Sequence, residues 1–378
     1  MSTLEPGPQQ RFAFGLITAG LTRPAVEPAD LVYALADAGA WGVGLLDDDL
    51  VPPAASPAER HDIMDRLAKA LDSTALAASA VTTSFHGHPI FSDGAFTSAD
   101  RDVRRAAIQK VMRALDAGAE VGAEIHVLRS GLEGIGCAAA RCPLDAIDRY
   151  REAVDFLCAY ISAQGYSTRL VLSAAHTAGR GDTLLPTTGH ALAFIGTLAD
   201  PALVGLSPQV AHGPAVADGG QHDVAQVIDA RKLVRIELNA SSSADPDQDL
   251  SVGSASLREA FLIVKLLEET GFDGPLHIDI RAGRVEGPHG IEEFAIGCMR
   301  TYRALAAKAR RFADDPEIRD ALAECGALEL TEPSVGPFSA EAAVALSAER
   351  FDAETLAARC YGRAHLDQLV TDLVLGLR

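Results

Sequence analysis

Short apolar runs alternate with longer amphipathic stretches from residue 12 to about residue 312, and this alternation leaves few folds open to the chain. A short apolar run bounded by polar or turn-forming residues is typical of a buried strand. The runs that we interpret as strands are Phe12–Leu16, Val43–Leu46, Ala77–Val81, Ile125–Leu128, Leu170–Leu172, Leu203–Leu206, Leu233–Leu238 and Leu276–Ile280. The chain therefore has eight candidate strands.

The stretches between these runs have the periodicity of helices that bury one face. Within Asp100–Ala123, apolar residues recur every four positions, at Val103, Ala107, Val111, Leu115 and Ala119. Similar patterns occupy Pro28–Ala40, Pro57–Thr74, Ala146–Gln164 and Ser254–Thr270. Eight strands that are each followed by a helix can close into a (β/α)8 TIM barrel, and the chain length suits one. We predict this α/β fold, although periodicity alone leaves a doubly wound sheet open.

The pattern changes after Phe312, where Asp314-Asp315-Pro316 interrupts the chain. Short helices rich in Ala, Leu and Glu follow as far as Arg378, with no strand pattern. A segment of this length cannot bury a core of its own. We therefore predict a TIM barrel over residues 1–312 and a C-terminal helical arm over residues 313–378, which packs on a neighbouring subunit in a homodimer or homotetramer.

Composition and charge narrow the classes of partner. The chain has 33 Lys and Arg residues against 52 Asp and Glu, a net charge of −19. A field of that sign repels nucleic acid and anionic membranes, so we expect a small-molecule ligand instead. The N-terminus lacks a signal-peptide pattern, no apolar run could span a bilayer, and the six cysteines form no CxxC pair. We expect a cytoplasmic protein with reduced thiols.

In a TIM barrel the functional side chains lie at the carboxyl ends of the strands. Those positions include an acidic triplet, Asp47–Asp49, and a set of oxygen and imidazole groups that could bind a cation, Glu237, Asp279, His212, Asp247 and Asp249. Each also has a structural interpretation, because the triplet could cap a helix and Asp245–Asp249 could form an acidic turn. By the same reasoning His88, His126, His190 and His277 are expected to be structural.

Several ordered motifs resemble class I xylose isomerase over nearly the whole chain. They are Arg11–Leu16, Asp47–Leu50, His88–Phe91 with Asp93-Gly94, Arg101–Arg104, Gln164–Tyr166, Arg180–Asp182, Gly189–Phe194, Asp247–Leu250 and His365–Leu369. The resemblance implies a TIM barrel with a C-terminal arm that embraces a neighbour, usually in a tetramer.

The chain departs from this family at the catalytic positions. The histidine that opens the sugar ring in the family corresponds to Leu46, although its partner aspartate is present as Asp49. The lysine that assists at the carbonyl end of the sugar corresponds to Ala175. In the family two divalent ions polarise the substrate oxygens while a hydride moves between adjacent carbons.

The metal ligands implied by the resemblance are also depleted. The first ion would be held by Ser173, Gln209, Glu237 and Asp279, which lack two of the family's four carboxylates, so we expect this remnant site to be empty. The second ion would be held by Gln209, His212, Asp247 and Asp249, a set suited to weak binding of one Mg²⁺, Mn²⁺ or Co²⁺. We therefore expect either no cofactor or one divalent cation at low occupancy.

Three positions at which the family has aromatic residues in its sugar-binding pocket correspond to other residue types here. They are Ile17, His86 and Arg129, of which the last two are polar, and His176 adds another polar group. Thr82, Asn239 and Arg281 also line the expected pocket. These replacements predict a cationic, hydrogen-bonding surface.

Three functional hypotheses follow. The first is a repurposed enzyme that acts on a small polar or anionic substrate, in which Arg129 binds substrate and His86, His176 or Asp49 transfers a proton. The second is a non-catalytic binder or scaffold, and the third is a weak metal-dependent isomerase of xylose or glucose. If the first metal is absent, Arg129 or Arg281 is expected to approach Glu237 and Asp279, unless both arginines stay in solvent.

Overall fold

The computed structural model describes residues 10–17, 26–85, 88–129, 133–135, 137–174, 183–210, 220–242, 245–281, 285, 287–325, 335–358 and 362–378. For residues 17, 241–242 and 245–248 it describes the backbone only. The part of the chain so described contains all eight of the expected strands.

Eight parallel strands form the central sheet. They are β1 (Phe12–Ile17), β2 (Gly42–Leu46), β3 (Ala77–Thr83), β4 (Ile125–Arg129), β5 (Arg169–Ser173), β6 (Val204–Leu206), β7 (Ile236–Glu237) and β10 (Leu276–Arg281), in the order β6-β5-β4-β3-β2-β1-β10-β7. Parallel bridges from Leu206 to Leu233 and from Gln209 to Glu237 connect the two ends of this order. The strands therefore close into the predicted barrel.

Helices follow the strands along the chain. They are α1 (Pro28–Asp37), α2 (Asp47–Leu50), α3 (Pro57–Thr74), α4 (Arg101–Glu120), α5 (Pro143–Gln164), α6 (Thr188–Ile195), α7 (Gln221–Asp229), α8 (Leu257–Thr270) and α9 (Gly287–Asp314). Their ends carry local signals, such as the capping box between Ser56 and Glu59 at the start of α3. Gly271 ends α8 in the left-handed conformation, as the sequence predicts.

Two local features differ from expectation. The acidic triplet forms its own short helix, α2, directly after β2 instead of only capping the next helix. Asp245–Leu250, which we considered as an acidic turn, is strand β9 of a two-stranded antiparallel hairpin with β8 (Ala240–Ser242). In β9, Asp alternates with Pro, Gln and Leu, so neither face of the strand is apolar and the alternation of apolar and polar residues that reveals a strand is missing.

The barrel core is mostly aliphatic, as the low aromatic content predicts, although five aromatic rings lie in its largest described cluster. One buried cluster joins β4, β5 and β6 to the inner faces of α4, α5 and α6, and it includes Val111, Leu115, Leu157, Leu170 and Phe194. Ala107, Val111 and Leu115 are buried in this cluster and Val103 packs against it, as the four-residue spacing in α4 predicts. This packing holds the strand ends, and with them the polar side chains described below, in fixed positions.

The chain divides into two compact units, Met1–Arg303 and Ala304–Arg378, with the division inside α9, whereas the sequence suggests a boundary after residue 312. The second unit contains α10 (Pro316–Glu324), α11 (Ala340–Ala348), α12 (Ala353–Ala357) and α13 (Arg363–Leu375), and no strand among its described residues. The C-terminal Arg378 pairs with Asp315 at 3.0 Å. None of the helices in the described part of the chain is long and apolar enough to cross a membrane.

Candidate active site

Asp279 lies at the centre of the polar groups at the carboxyl ends of the strands. It shares one face of β10 with His277 and Arg281, because side chains alternate along a strand. Arg129 Nη2 donates to Asp279 Oδ2 at 2.7 Å, and His277 Nε2 lies 2.9 Å from Asp279 Oδ1. The arginine expected to approach this carboxylate is thus Arg129, which comes from the end of β4.

Glu237, on the neighbouring strand β7, has its own pair of donors. Arg235, two residues earlier on the same face, forms an ion pair with Oε1 of Glu237. Gln209 Nε2 donates to Oε2 at 2.6 Å. Arg235 is fully buried and also donates from Nε to Ser207 Oγ at 3.1 Å, so its guanidinium is fixed. Glu237 is therefore neutralised inside the barrel.

Asp249 is the third carboxylate of the site. Arg281 donates to its Oδ2 from Nε at 3.1 Å and from Nη2 at 2.6 Å. Asp249 is buried, whereas the side chain of Arg281 is 33% exposed. Arg281 therefore pairs with Asp249 and not with the Glu237–Asp279 pair.

The ion pairs decide the charge states of these groups. Burial by itself raises the pKa of Glu237 and of Asp279, but the charges of Arg235 and Arg129 outweigh it and lower both pKa values. Burial and the nearby Arg235 lower the pKa of His277, so this imidazole is neutral near pH 7. A neutral His277 that faces a carboxylate through Nε2 carries its proton on Nε2.

Asn239 and Thr82, which we predicted to bind substrate, are both buried. Asn239 is buried and bridges strands: its Nδ2 donates to the carbonyl oxygen of Asp279, and its Oδ1 accepts from the amide of Asp279, both at 2.8 Å. Its contacts position the backbone that carries Asp279. Thr82 is buried on β3. The backbone of Ile17 pairs in register with Arg281, and its side chain is not described.

The acidic triplet forms a second cluster. Asp47 is buried and accepts from the amides of Asp48 and Ser84, while Lys110 Nζ lies 2.8 Å from Asp47 Oδ2 and also pairs with Asp48. Burial raises the pKa of Asp47 to about 6. Burial, with the charges of Asp48 and Asp47, raises the pKa of Asp49 to about 7, which suits a general acid or base.

Asp47 and Asp48 line a groove of about 930 Å³ whose other lining residues come mostly from α3, α4 and the loops before them. Its walls include Met64, Phe91, Lys110 and Arg113, together with the Arg60–Glu120 ion pair at 3.5 Å. Because α3 follows β2 and α4 follows β3, the groove lies in the outer layer of helices. It is separate from the arginine pairs inside the barrel.

Several predicted site residues lie outside the described residues, so their roles remain predictions. They are His86, His176 and His212, together with Ala175 at the position of the family's lysine. The side chain of Asp247 belongs to the same group, although its backbone is part of β9.

Sequence reasoning missed Arg235 and Lys110 and assigned His277 to the ordinary core. A signal for Arg235 was present, because Arg235 and Glu237 are two apart in a strand and so share a face. A buried arginine on that face needs a partner. Lys110 carried no such signal, since its partners lie 62 and 63 positions earlier in the sequence.

The described donors of the expected first metal site, Gln209, Glu237 and Asp279, do not fit a divalent cation as they are arranged. Both oxygens of Glu237 and both oxygens of Asp279 already accept from nitrogen donors. Gln209 turns its NH₂ group, not its oxygen, toward Glu237. Among the residues with described side chains there is no group of three or more His, Cys, Asp or Glu that could hold a metal ion.

Comparisons with known proteins agree with this architecture. Residues 32–302 match the family model described as xylose isomerase-like TIM barrel. A protein named xylose isomerase from Thermus thermophilus is 42% identical over 384 residues, covering 99% of each chain.

Solved structures show the same fold at low identity. A putative xylose isomerase from Rhodospirillum rubrum has a TM-score of 0.61 at 16% identity, covering 78% of this chain and 99% of its own. A 3-keto-D-glucoside 4-epimerase from E. coli has a TM-score of 0.58 at 15% identity, covering 78% and 100%. At such identities these structures support the fold alone.

Proposed function

Because this chain belongs to the xylose isomerase-like TIM-barrel family, we propose that it keeps a small-molecule site at the mouth of the barrel but acts there on a small polar or anionic substrate. It does not carry out the metal-dependent hydride shift between an aldose and a ketose. The arrangement of the arginine–carboxylate pairs carries this proposal.

In two of these pairs the cation is partly exposed and the anion is almost completely buried. Arg129 and Arg281 are 24% and 33% exposed, whereas Asp279 and Asp249 are 5% and 6% exposed. A ligand that enters the mouth meets guanidinium N–H donors first. Such donors match carboxylate, phosphate or carbonyl oxygens, and Arg binds planar oxyanions through two parallel hydrogen bonds.

The buried carboxylates fix the orientation of these donors. Arg281 donates twice to Asp249, so its guanidinium plane is held in place and Nη1 is directed away from that carboxylate. Arg129 uses Nη2 on Asp279. Preorganised donors bind an oxyanion without the entropic cost of ordering two long side chains.

A proton transfer at this site would use Asp49, His86 or His176. Asp49 follows β2 directly, and its pKa of about 7 lets it both accept and release a proton at neutral pH. His86 and His176 follow β3 and β5 in the sequence, where side chains of a barrel reach the mouth.

The test is a thermal-shift screen of small carboxylates and sugar acids against the matching neutral sugars. We expect anionic compounds to raise the melting temperature of the wild type, and the double variant Arg281→Gln/Asp249→Asn to lose at least half of that rise. Removing both partners together leaves no buried charge unpaired, so the fold should be retained. A matched control is Arg60→Gln/Glu120→Gln, which removes an ion pair of the helix layer and should leave the shift unchanged.

Turnover is then followed by mass spectrometry with each compound that binds. Substrate loss that is abolished in His86→Ala, His176→Ala or Asp49→Asn supports a repurposed enzyme. Formation of xylulose or fructose above a metal-free control would instead make the protein a sugar isomerase and overturn the proposal. The absence of any shift with the anionic compounds would also overturn it.

A second candidate is ligand binding without catalysis. It is favoured by Leu46 and Ala175, which stand where the family has its ring-opening histidine and its lysine. Anionic compounds that shift the melting temperature but are recovered unchanged after incubation would select this candidate over the enzyme.

We also propose that the C-terminal unit associates with a second copy of the chain. Apolar side chains of this unit face solvent: Phe338 is 91% exposed, Val344 71% and Phe351 66%. We propose that these side chains form part of one exposed apolar surface, because large apolar surfaces on a folded protein commonly bind another protein.

A further inference from the structure

Glu237 and Asp279 form a buried pair of like charges. They lie on the neighbouring strands β7 and β10, where Glu237 pairs in register with His277, and both carboxylates are almost inaccessible to solvent. Two buried carboxylates on neighbouring strands repel each other, so the fold must place positive charge beside them.

Two guanidinium groups meet this requirement in the structure. Arg129 binds Asp279 at 2.7 Å, and Arg235 forms an ion pair with Glu237 while anchored on Ser207. Their summed charge of two equals that of one divalent ion. The remaining carboxylate oxygens accept from Gln209 and His277, so each of the four oxygens has a donor.

Arg129 reaches this position from the far side of the barrel. In the strand order, β4 and β10 are separated by β3, β2 and β1, which places them opposite each other in a closed ring of eight strands. The Arg129 side chain therefore crosses the barrel to bind Asp279. Arginine suits this span, because its long stem can lie along apolar surface while its head stays charged at any physiological pH.

We propose that Arg129 and Arg235 are built-in replacements for a divalent cation between Glu237 and Asp279, so that the carboxylate pair is complete without metal and excludes it. A metal ion at this carboxylate pair would have to compete with the nitrogen donors on its four oxygens, which are Arg129 and His277 at Asp279 and Arg235 and Gln209 at Glu237. Even if the ion displaced only His277 or Gln209, the two guanidinium groups would lie close to it, and the positive charges would repel. This inference does not depend on which ligand binds at the mouth of the barrel.

The prediction is that divalent-cation binding appears when Arg129 is removed. The full-length protein is stripped with EDTA and titrated with Mn²⁺, and free Mn²⁺ is followed by electron paramagnetic resonance. Arg129→Met has a side chain of similar length without charge, and we expect it to bind one Mn²⁺ about tenfold or more tightly than the wild type, since Asp279 loses its counter-charge. The variant Arg129→Met/Asp279→Asn should lose this gain, and Arg60→Met, at the surface, should show none.

A stability measurement covers the case in which Arg129→Met folds poorly. If Arg129 neutralises Asp279, the variant Arg129→Met/Asp279→Asn should be more stable to urea than Arg129→Met alone, because the unpaired buried charge is gone. Mn²⁺ should raise the melting temperature of Arg129→Met more than that of the wild type.

Two results would overturn the inference. One is a full equivalent of Mn²⁺ bound by the wild type and lost in Glu237→Gln. The other is that both expected effects are missing: Arg129→Met binds Mn²⁺ no more tightly than the wild type, and Arg129→Met/Asp279→Asn is no more stable to urea than Arg129→Met. Neither result bears on the anion-binding screen, so the two proposals fail separately.

Discussion

Gly44 on β2 leaves the space that the imidazole of His277 on β10 occupies, since a Cβ added to Gly44 would lie 2.5 Å from Cε1 of His277. Gly15, on the strand between them, also leaves room for this ring, since a Cβ added to Gly15 would lie 3.2 Å from Cε1 of His277. His277 is buried and binds Asp279, so it cannot move away without losing that hydrogen bond. Two glycines therefore allow a histidine in the barrel interior to hold Asp279.

We expect Gly44→Ala to destabilise the protein by about 1–3 kcal/mol, because overpacking a buried site forces neighbours out of their rotamers. Urea unfolding measures the loss. The matched control is Gly297→Ala, since a Cβ there meets nothing within 4 Å and Ala favours the helix by about 0.5–1 kcal/mol. The cost of Gly44→Ala should shrink in a His277→Ala background, and an unchanged cost would show that the ring is not the obstacle.

The pH dependence of stability should change in Asp47→Asn. Burial raises the pKa of Asp47 from 3.8 to about 6, so the folded state binds this proton more tightly than the unfolded state. The protonated Asp47 therefore stabilises the folded wild type. This contribution to the free energy of unfolding, about 3 kcal/mol, is fully present below about pH 4 and is lost as the pH rises through about 6. Asn cannot titrate and still accepts through its oxygen.

The free energy of unfolding of Asp47→Asn relative to the wild type should therefore rise by up to about 3 kcal/mol between pH 4 and pH 7. Urea titrations at intervals across this range measure the difference. A difference that stays constant with pH would contradict the pKa shift of Asp47.

Glu133 should hold the backbone of residues 95–97 in place. Its buried carboxylate accepts from the amides of Ala95, Phe96 and Thr97 at 3.0, 3.2 and 3.0 Å. Glu133→Gln replaces one acceptor oxygen by an NH₂ group that faces these donors, so we expect a loss of about 1.5–3 kcal/mol.

Hydrogen exchange should also become faster at the amides of residues 95–97 in Glu133→Gln. The control is Glu269→Gln, an exposed partner of Lys265, which should change stability by less than about 0.5 kcal/mol. Unchanged exchange at these amides would mean that Glu133 does not order the segment.

The exposed aromatic residues of the C-terminal unit should affect the association state. We expect Phe338→Ser/Phe351→Ser to lower the mass in solution from that of a dimer or tetramer, because it removes apolar area that a second copy would cover. Light scattering after size-exclusion chromatography measures the mass. Leu144→Ser, at a 72% exposed position in the barrel unit, should leave the mass unchanged, and a monomeric wild type would contradict the proposal.

The barrel followed from the sequence because strand and helix periodicities are local. All eight predicted strands are present, and α3 begins and ends at Pro57 and Thr74, as predicted. The family resemblance was likewise confirmed, since the motifs that carry it are short and ordered along the chain. The resemblance also implied that Ser173 and Gln209 stand at two of the family's four carboxylate positions, which stays a prediction.

Which cation accompanies each carboxylate was decided by the tertiary structure. Arg129 and Asp279 are 150 positions apart, and only closure of the barrel brings β4 opposite β10. From the sequence, Arg281 was the nearer candidate for Asp279, because the two residues share a face of one strand. Its side chain instead binds Asp249 on the hairpin, an element without an apolar pattern. Electrostatic partners depend on distances in space, and local periodicity carries no information about them.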